Sequence, residues 1–260
     1  MRVAFIGDIV GRPGRRIVAA SLPGLKKEHG IEFTIANVEN AAGGFGVTDR
    51  ALRELTNAGV DFFTSGNHIW DKREGVTLLE DTSNLIRPGN YPAPSPGRGY
   101  RTFHVQDKAV HVFNLQGRVF MPPIDCPFRT IDRMLGDVDE SSRIRIVDIH
   151  GEATSEKIAM GWYLDGRVSL VLGTHTHVPT KDARILPGGT GYVTDVGMTG
   201  SNDGVIGVEK ASVMERFLTM RPTRFTVAKR DVRCDFVVAD IDDTTGKTMT
   251  MEHLQLKSEE

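Results

Sequence analysis

Cysteine is scarce. Only Cys126 and Cys234 occur in 260 residues, far apart and outside any Cys-x-x-Cys spacing, so a disulfide framework and a zinc finger are both excluded. No apolar run approaches transmembrane length. The amino-terminal run Arg2-Val3-Ala4-Phe5-Ile6 is too short for a signal peptide and ends in Gly7-Asp8 rather than a small-residue cleavage site. The expectation is a reducing, cytoplasmic setting with no membrane partner. Blocks of like charge are missing too: 32 Lys and Arg face 34 Asp and Glu, a net charge of −2. Nothing in that balance recommends a nucleic-acid surface, so no DNA partner is expected. Internal repeats and low-complexity stretches are also absent. What is present is 39% hydrophobic residues, enough for a sizeable core; the length fits one large domain or two small ones, and one α/β domain over residues 1–260 is the expectation.

Several predicted strands stop in the same way. Residues 3–6 form an unbroken apolar run, as in a strand covered on both faces, and Gly7-Asp8 ends it. Pro13 suits the first turn of a helix running to about His29, with Gly30 as its stop and Pro23 predicting a kink or an early end. Residues 31–37 read as the next strand, ending in Val38-Glu39-Asn40 and a glycine-rich loop over 41–46. Thr48 caps a helix to about Ala58, which delivers the aromatic strand 60–64 and then Gly66-Asn67-His68. A Pro- and Gly-rich rim loop spans 87–97, strands 100–105 and 109–115 form a hairpin, and a short helix is expected near 130–135.

Farther on, strand 144–149 stops at His150, a helix runs from 152 to about 164, and strand 168–172 leads into Gly173-Thr174-His175-Thr176-His177. A strand at 192–194 opens a glycine-rich loop over 195–204, and a last helix covers 209–218. The tail alternates with period two through 225–227, 232–239 and 249–256, an antiparallel addition to the same domain.

Collected, the strand ends present Asp8, Glu39 with Asn40, Asn67 with His68, His150, and His175 with His177. In an open α/β sheet, ligands bind beyond the carboxyl ends of parallel strands. Four of the eight histidines fall at these ends; His29, His104, His111 and His253 read as surface residues. Spaced by one residue, His175 and His177 either face the same way or serve two adjacent metals. Without His68, seven candidate ligands remain, too many for one four-coordinate zinc and suited to two ions sharing a bridge. Glu39 is the natural bridge, because its two oxygens can bind separate ions. Such a pair clamps a phosphate and turns a bridging water into a hydroxide nucleophile at neutral pH, which is phosphoester hydrolysis.

These residues resemble the calcineurin-like metallophosphoesterase blocks, in the same order. More closely, Glu39-Asn40-Ala41-Ala42-Gly43-Gly44-Phe45-Gly46, Arg118-Val119-Phe120, Pro127-Phe128-Arg129-Thr130 and Glu152-Ala153-Thr154-Ser155-Glu156-Lys157 resemble the bacterial YmdB-like family, similar to 2′,3′-cyclic-nucleotide phosphodiesterases. Two departures from the broad superfamily, Asp8-Ile9-Val10 in place of Asp-x-His and Glu39 in place of a bridging Asp, match that narrower family. The resemblance implies a metallophosphoesterase-type α/β sandwich of two packed sheets flanked by helices. It implies that Asp8, Glu39, Asn40 and His177 hold one metal, that Glu39, Asn67, His150 and His175 hold the other, and that His68 is the proton donor. Iron or manganese is favoured, with zinc compatible with the same donors, and a homo-oligomer is favoured over a monomer.

The favoured substrate is a 2′,3′-cyclic nucleotide opened to a monophosphate. A broader phosphatase or nucleotidase, or a metal-binding regulator acting through a partner, are the alternatives. Other polar residues read more plainly: Lys157 and Arg129 as solvated basic groups, Asp195 as a turn former, Glu152 as a first-turn helix charge. Trp70 and Phe45 belong either to a base pocket or to the core.

Overall fold

The computed structural model describes residues 1–139 and 142–258. The chain opens with β1 (Arg2–Ile6), a two-residue β2 (Asp8–Ile9), α1 (Gly11–His29), β3 (Phe33–Asn37), α2 (Asp49–Asn57), β4 (Phe62–Thr64) and α3 (Arg73–Asp81), with a 3-10 turn at Asn67–Trp70. It continues through β5 (Tyr100–Val105), β6 (Lys108–Gln116), α4 (Pro127–Gly136), β7 (Ile144–His150), α5 (Thr154–Leu164), β8 (Leu170–Thr174), β9 (Arg184–Ile185) and β10 (Gly191–Val193). It closes with β11 (Met198–Ser201), α6 (Lys210–Thr219), β12 (Val232–Ile241) and β13 (Thr248–Lys257).

Two sheets result. One runs in the order β2-β11-β12-β1-β3-β4, with β13 paired to β12; the other runs β5-β6-β7-β8-β10-β9. Strand alternation explains the layering, since successive side chains point to opposite faces. Val3 and Phe5 of β1, Phe33 and Ile35 of β3, and Ile144 and Ile146 of β7 fill the layer between the sheets. Ala4 and Ile6 turn outward to a core with Ile17, Val18, Leu52 and Leu55 from α1 and α2. Val147 and Ile149 turn outward to Ile131 of α4 and Met160 of α5. The expected α/β sandwich, with helices on both outer faces, is therefore the architecture observed.

Some elements depart from expectation. Pro23 does not end α1, which runs to His29. Both Pro23 and Ala19, whose carbonyl loses its amide partner, lie on the exposed side, where that carbonyl is open to solvent, while Leu22 stays packed. The loop expected at 195–204 contains β11, because Thr199 and Ser201 pair with β12 while Gly200 lets Val10 pass closely. Residues 225–227 form only an isolated bridge, Val208 to Val227. Helix α3 and the short strand β9 escaped the sequence reading.

Candidate metal centre

Toward the carboxyl ends of the parallel strands the inter-sheet layer changes from apolar to polar. Asn37, Thr64, Asn114, Asp148 and Thr174 continue the inward-facing rows, and all are buried. Asp148 gathers them: Thr64 Oγ1 donates to its Oδ2 at 2.5 Å, Asn37 Nδ2 to the same oxygen at 3.0 Å, and Thr174 Oγ1 to its Oδ1 at 2.7 Å. Asn37 Oδ1 in turn accepts the amide of Glu39 at 3.1 Å. This polar layer is the floor on which the strand-end residues stand.

His150, the register partner of Thr174 across β7 and β8, places Nδ1 2.9 Å from Thr174 Oγ1. Because that hydroxyl spends its proton on Asp148, Nδ1–H is the donor and the Nε2 lone pair points into the site. There it lies 3.2 Å from Glu39 Oε2, 3.1 Å from Asn67 Oδ1 and 3.0 Å from His175 Nδ1. A Cβ on Gly66 would lie 2.2 Å from His150 Nε2 and 2.3 Å from Glu39 Oε2, so only glycine leaves room there. On the other side Asn40 Nδ2 is 3.0 Å from Glu39 Oε1 and 3.1 Å from His177 Nε2.

Two groups of potential ligand atoms emerge, Glu39 with His150 and His175, and Asp8 with Glu39 and His177; within each group the atoms lie within 4.8 Å of one another. Glu39 belongs to both.

The histidine pair is held in an uncommon backbone shape, with φ of 99° at His175 and 63° at His177. Asp195 imposes it by accepting both the amide (3.2 Å) and the hydroxyl (2.8 Å) of Thr176 on its Oδ2. Lys157 Nζ donates to the same oxygen at 2.7 Å and to Thr174 O at 3.2 Å. A buried ion pair thus fixes the segment that carries both histidines.

The electrostatics fit a cation. Four acceptors, Glu39 Oε2, Asn67 Oδ1, His150 Nε2 and His175 Nδ1, converge here, and beyond the His68 amide on Glu39 Oε2 at most one proton lies between them. In the protein alone that proton sits on His150: burial opposes its charge, but Glu39 and Asp8 beside it push its pKa up to about 9. Burial would raise Glu39, yet the neighbouring His150 and His68 hold its carboxyl well below the usual range. Burial, then the adjacent His150, pushes His175 down to about 3, leaving it neutral and able to ligate. Asp8 Oδ1 and Asn40 Oδ1 are buried with no hydrogen-bond partner. Such orphaned oxygens are suited to a cation; for Asn40 to use its oxygen the amide has to turn over, and the unpartnered Oδ1 permits that.

Of the residues predicted from sequence, Asp8, Glu39, Asn40, Asn67, His150, His175 and His177 all come together here. His68 sits at the edge. Its amide donates to Glu39 Oε2 at 3.0 Å, its Nδ1 is 2.8 Å from Asp71 Oδ2, and its ring packs against Phe45 at 4.9 Å between centroids. Both rings line a cavity of about 450 Å³ that opens over Glu39, Asn40, His175 and His177.

Other readings need correction. Lys157 is fully buried rather than solvated, and Asp195 is its buried partner rather than a plain turn former. Glu152 lies ahead of α5 and pairs with His175 Nε2 at 3.2 Å. His111 is buried beside Thr102, and both ring nitrogens of half-buried His253 approach backbone carbonyls, so neither is a free surface residue. Trp70 packs against Tyr91 away from the cavity, and Arg129 does not line it. Asp71, Asp148 and Thr174 were missed, though two had local signals: Asp71 follows His68 by three residues, one helical turn, and Asp148 shares the strand face of His150.

Two packed sheets with outer helices, and one carboxylate shared by two histidine-bearing clusters beyond the strand ends, define a metallophosphoesterase-type fold. Residues 4–254 match the model of the YmdB-like protein family, and the chain belongs to that family. Over 259 residues it is 47% identical to the 2′,3′-cyclic-nucleotide 2′-phosphodiesterase of Bacillus subtilis strain 168, covering 100% of this chain and 98% of that protein. The crystal structure of a hypothetical protein from Thermus thermophilus is 42% identical, with a TM-score of 0.94 and 100% of both chains covered. A crystal structure described as a novel phosphatase from Mycoplasma pneumoniae is 31% identical, with a TM-score of 0.93 over 99% of this chain and 93% of that one.

Proposed function

We propose that this chain, a phosphoric ester hydrolase, works with two metal ions to open 2′,3′-cyclic nucleotides of the cAMP and cGMP type to nucleoside monophosphates. The observation that carries the reading is Glu39, which belongs to both candidate ligand clusters while Asp8 and Asn40 keep orphaned oxygens beside it. Asp8, Glu39, Asn40 and His177 would hold one ion, and Glu39, Asn67, His150 and His175 the other. Bound there, two ions would polarise the phosphoryl oxygens and make the attacking water acidic enough to react at neutral pH. Iron or manganese suits the mixed carboxylate, amide and imidazole donors, as does zinc.

The chain's own residues supply the rest. Thr174 and Asp148 keep His150 in the tautomer with its Nε2 lone pair facing the site. Asp71 accepts the Nδ1 proton of His68 and fixes the direction in which the ring points. The Nε2 proton of that ring is then the one delivered to the departing ribose oxygen. Phe45, Ile206 and Phe225 give the cavity an apolar wall opposite the polar cluster, a match for a base attached to a phosphate. No described helix is long and apolar enough to cross a membrane. The two unpaired cysteines favour a cytoplasmic setting. Exposed Phe217, Leu218 and Met220 at the end of α6 favour a homo-oligomer of chains each built as one domain.

The test is turnover by metal-loaded protein. Cyclic nucleotides should be hydrolysed faster than linear phosphomonoesters. Equal rates on both would mark a broader phosphatase or nucleotidase, and no turnover at full metal occupancy would mark a metal-binding regulator. In the same assay His68→Ala should keep both metals and lose about 10²–10⁴-fold on the cyclic nucleotide, but far less on a nitrophenyl phosphodiester whose phenolate leaves without a proton. Equal losses on both substrates would make His68 a binding residue.

A further inference from the structure

A second groove, of about 890 Å³, adjoins the catalytic cavity, and the two share Gly43 and Val227 as a common wall. Ile17 and Leu256 lie on its floor; Arg12, Arg16 and Lys229 stand on its rim, and no acidic residue lines it. Among the described residues none of these three cations has an ion-pair partner, whereas Lys257 on the same rim is paired with Asp231 at 3.3 Å. Arg12 follows Gly11, whose amide donates to the carbonyl of Asn40 at 2.9 Å, so the cationic rim begins next to the candidate ligands.

A 2′,3′-cyclic mononucleotide has one phosphate, and that phosphate belongs over the metal centre. It leaves the cations of the groove with nothing to neutralise. A substrate that continues from the ribose 5′ oxygen as a phosphodiester chain brings further phosphates to the rim, and its bases have an apolar floor to rest on. Resting on the functional reading above, we propose that the substrates include oligoribonucleotides ending in a 2′,3′-cyclic phosphate, with the phosphates on the 5′ side over Arg12, Arg16 and Lys229. Water adds to phosphorus, the bond from phosphorus to O2′ breaks, O2′ takes the proton, and a 3′-phosphate end remains; internal linkages are untouched. The net charge of −2 conceals this patch, because among the described residues no acidic side chain lines the groove.

Metal-loaded protein is assayed at low salt with 2′,3′-cyclic AMP, with the same nucleotide bearing a 5′-phosphate, and with a tetranucleotide ending in the cyclic group. The tetranucleotide should show kcat/KM about tenfold or more above cyclic AMP, eroding with salt at a slope of about 0.7 per phosphate contacted. R16E/K229E should remove that advantage and leave cyclic AMP turnover within about twofold, since neither side chain lines the catalytic cavity. A labelled tetranucleotide 3′-phosphate should bind by anisotropy about tenfold more weakly to the variant. Cyclic AMP hydrolysis with no gain from length, or a 5′-phosphate that reproduces the whole gain, overturns the proposal and leaves the functional reading intact. Failure to hydrolyse any cyclic phosphate overturns that reading, and binding unchanged in R16E/K229E independently overturns the groove.

Discussion

The two halves of the candidate centre are built differently. Around His150 every group is braced: the ring is fully buried, its Nδ1 is tied through Thr174 to Asp148, and Gly66 closes over its Nε2. Around His177 the support is thinner. That ring is half-buried and its Nδ1 rests on the carbonyl of Ile206, itself an exposed residue with φ of 46°. The orphaned oxygens of Asp8 and Asn40 also belong to this half. A braced set of donors loses little entropy on gripping an ion, whereas a loose set must be ordered by the ion it binds. Two ions held by similar donors should therefore differ in affinity, with the His150 side tight and the His177 side exchangeable.

Glu39 is the one residue both halves need, and its replacement gives the largest expected effect. Glu39→Gln keeps shape but removes the charge that lets two cations sit close together. Activity should fall to background, and elemental analysis should find fewer than two metals per chain. Two metals with near-normal turnover would show that Glu39 is not the bridge.

Separating the halves comes next. His177→Ala should retain about one metal per chain, because three-ligand remnants bind weakly while the braced set is untouched. His150→Ala should cost the tight ion. During chelator titration of the unaltered protein one metal should leave well before the other; simultaneous release would erase the distinction between the halves.

A subtler change sharpens the contrast without touching a ligand. Thr174→Val removes the hydroxyl that holds the His150 tautomer, and loss of such outer partners costs about 10–100-fold in metal affinity. The loss should be confined to the tight ion, and nitrogen NMR of His150 should show the two tautomers mixed. A purely structural role would lower thermal stability and leave the tautomer alone.

The braced half was the less legible one, for physical reasons. The candidate ligands could be read because each stands just beyond an apolar strand run, where a polar cluster breaks the pattern. Asn37 and Asp148 lie inside strands, where one polar residue in an alternating run looks like an ordinary solvent-facing position. Only the packing of two sheets makes that face interior. Lys157 was misread for a similar reason: its partner Asp195 is 38 positions away, and a buried charge looks like a surface charge until its partner is known. Most strands could be placed from their apolar runs, while the early end expected at Pro23 is not seen, because its solvent-facing position on α1 depends on what the other face packs against.

The smallest expected effect is a pH trend in metal-free protein, and it tests how deeply the acidic floor is buried. Burial raises Asp8 from 3.8 to about 6 and Asp148 from 3.8 to about 7. His150, which burial would lower, is instead raised from 6.5 to about 9 by Glu39 and Asp8. All three folded-state values lie above their unfolded ones. The folded chain therefore holds more protons across this range, and stability must fall as pH rises through it. Two groups shift the other way: the contribution of Glu39 is lost only as pH falls below its unfolded value of 4.5, under the window of interest, and His175, lowered from 6.5 to about 3, adds stability as pH rises toward 6.5 and so offsets only part of the fall from the three raised groups. Metal-free protein should thus melt higher at pH 5.5 than at pH 8, each kcal/mol moving Tm by about 2–4 °C in chains of this order of length. Metal-loaded protein should do the reverse, because ions take the place of those protons and bind better once His150 has lost its own. If metal-free protein melts higher at pH 8, Asp8 and Asp148 are reached by water, and the floor beneath the braced half is not the dry layer that its hydrogen bonds describe.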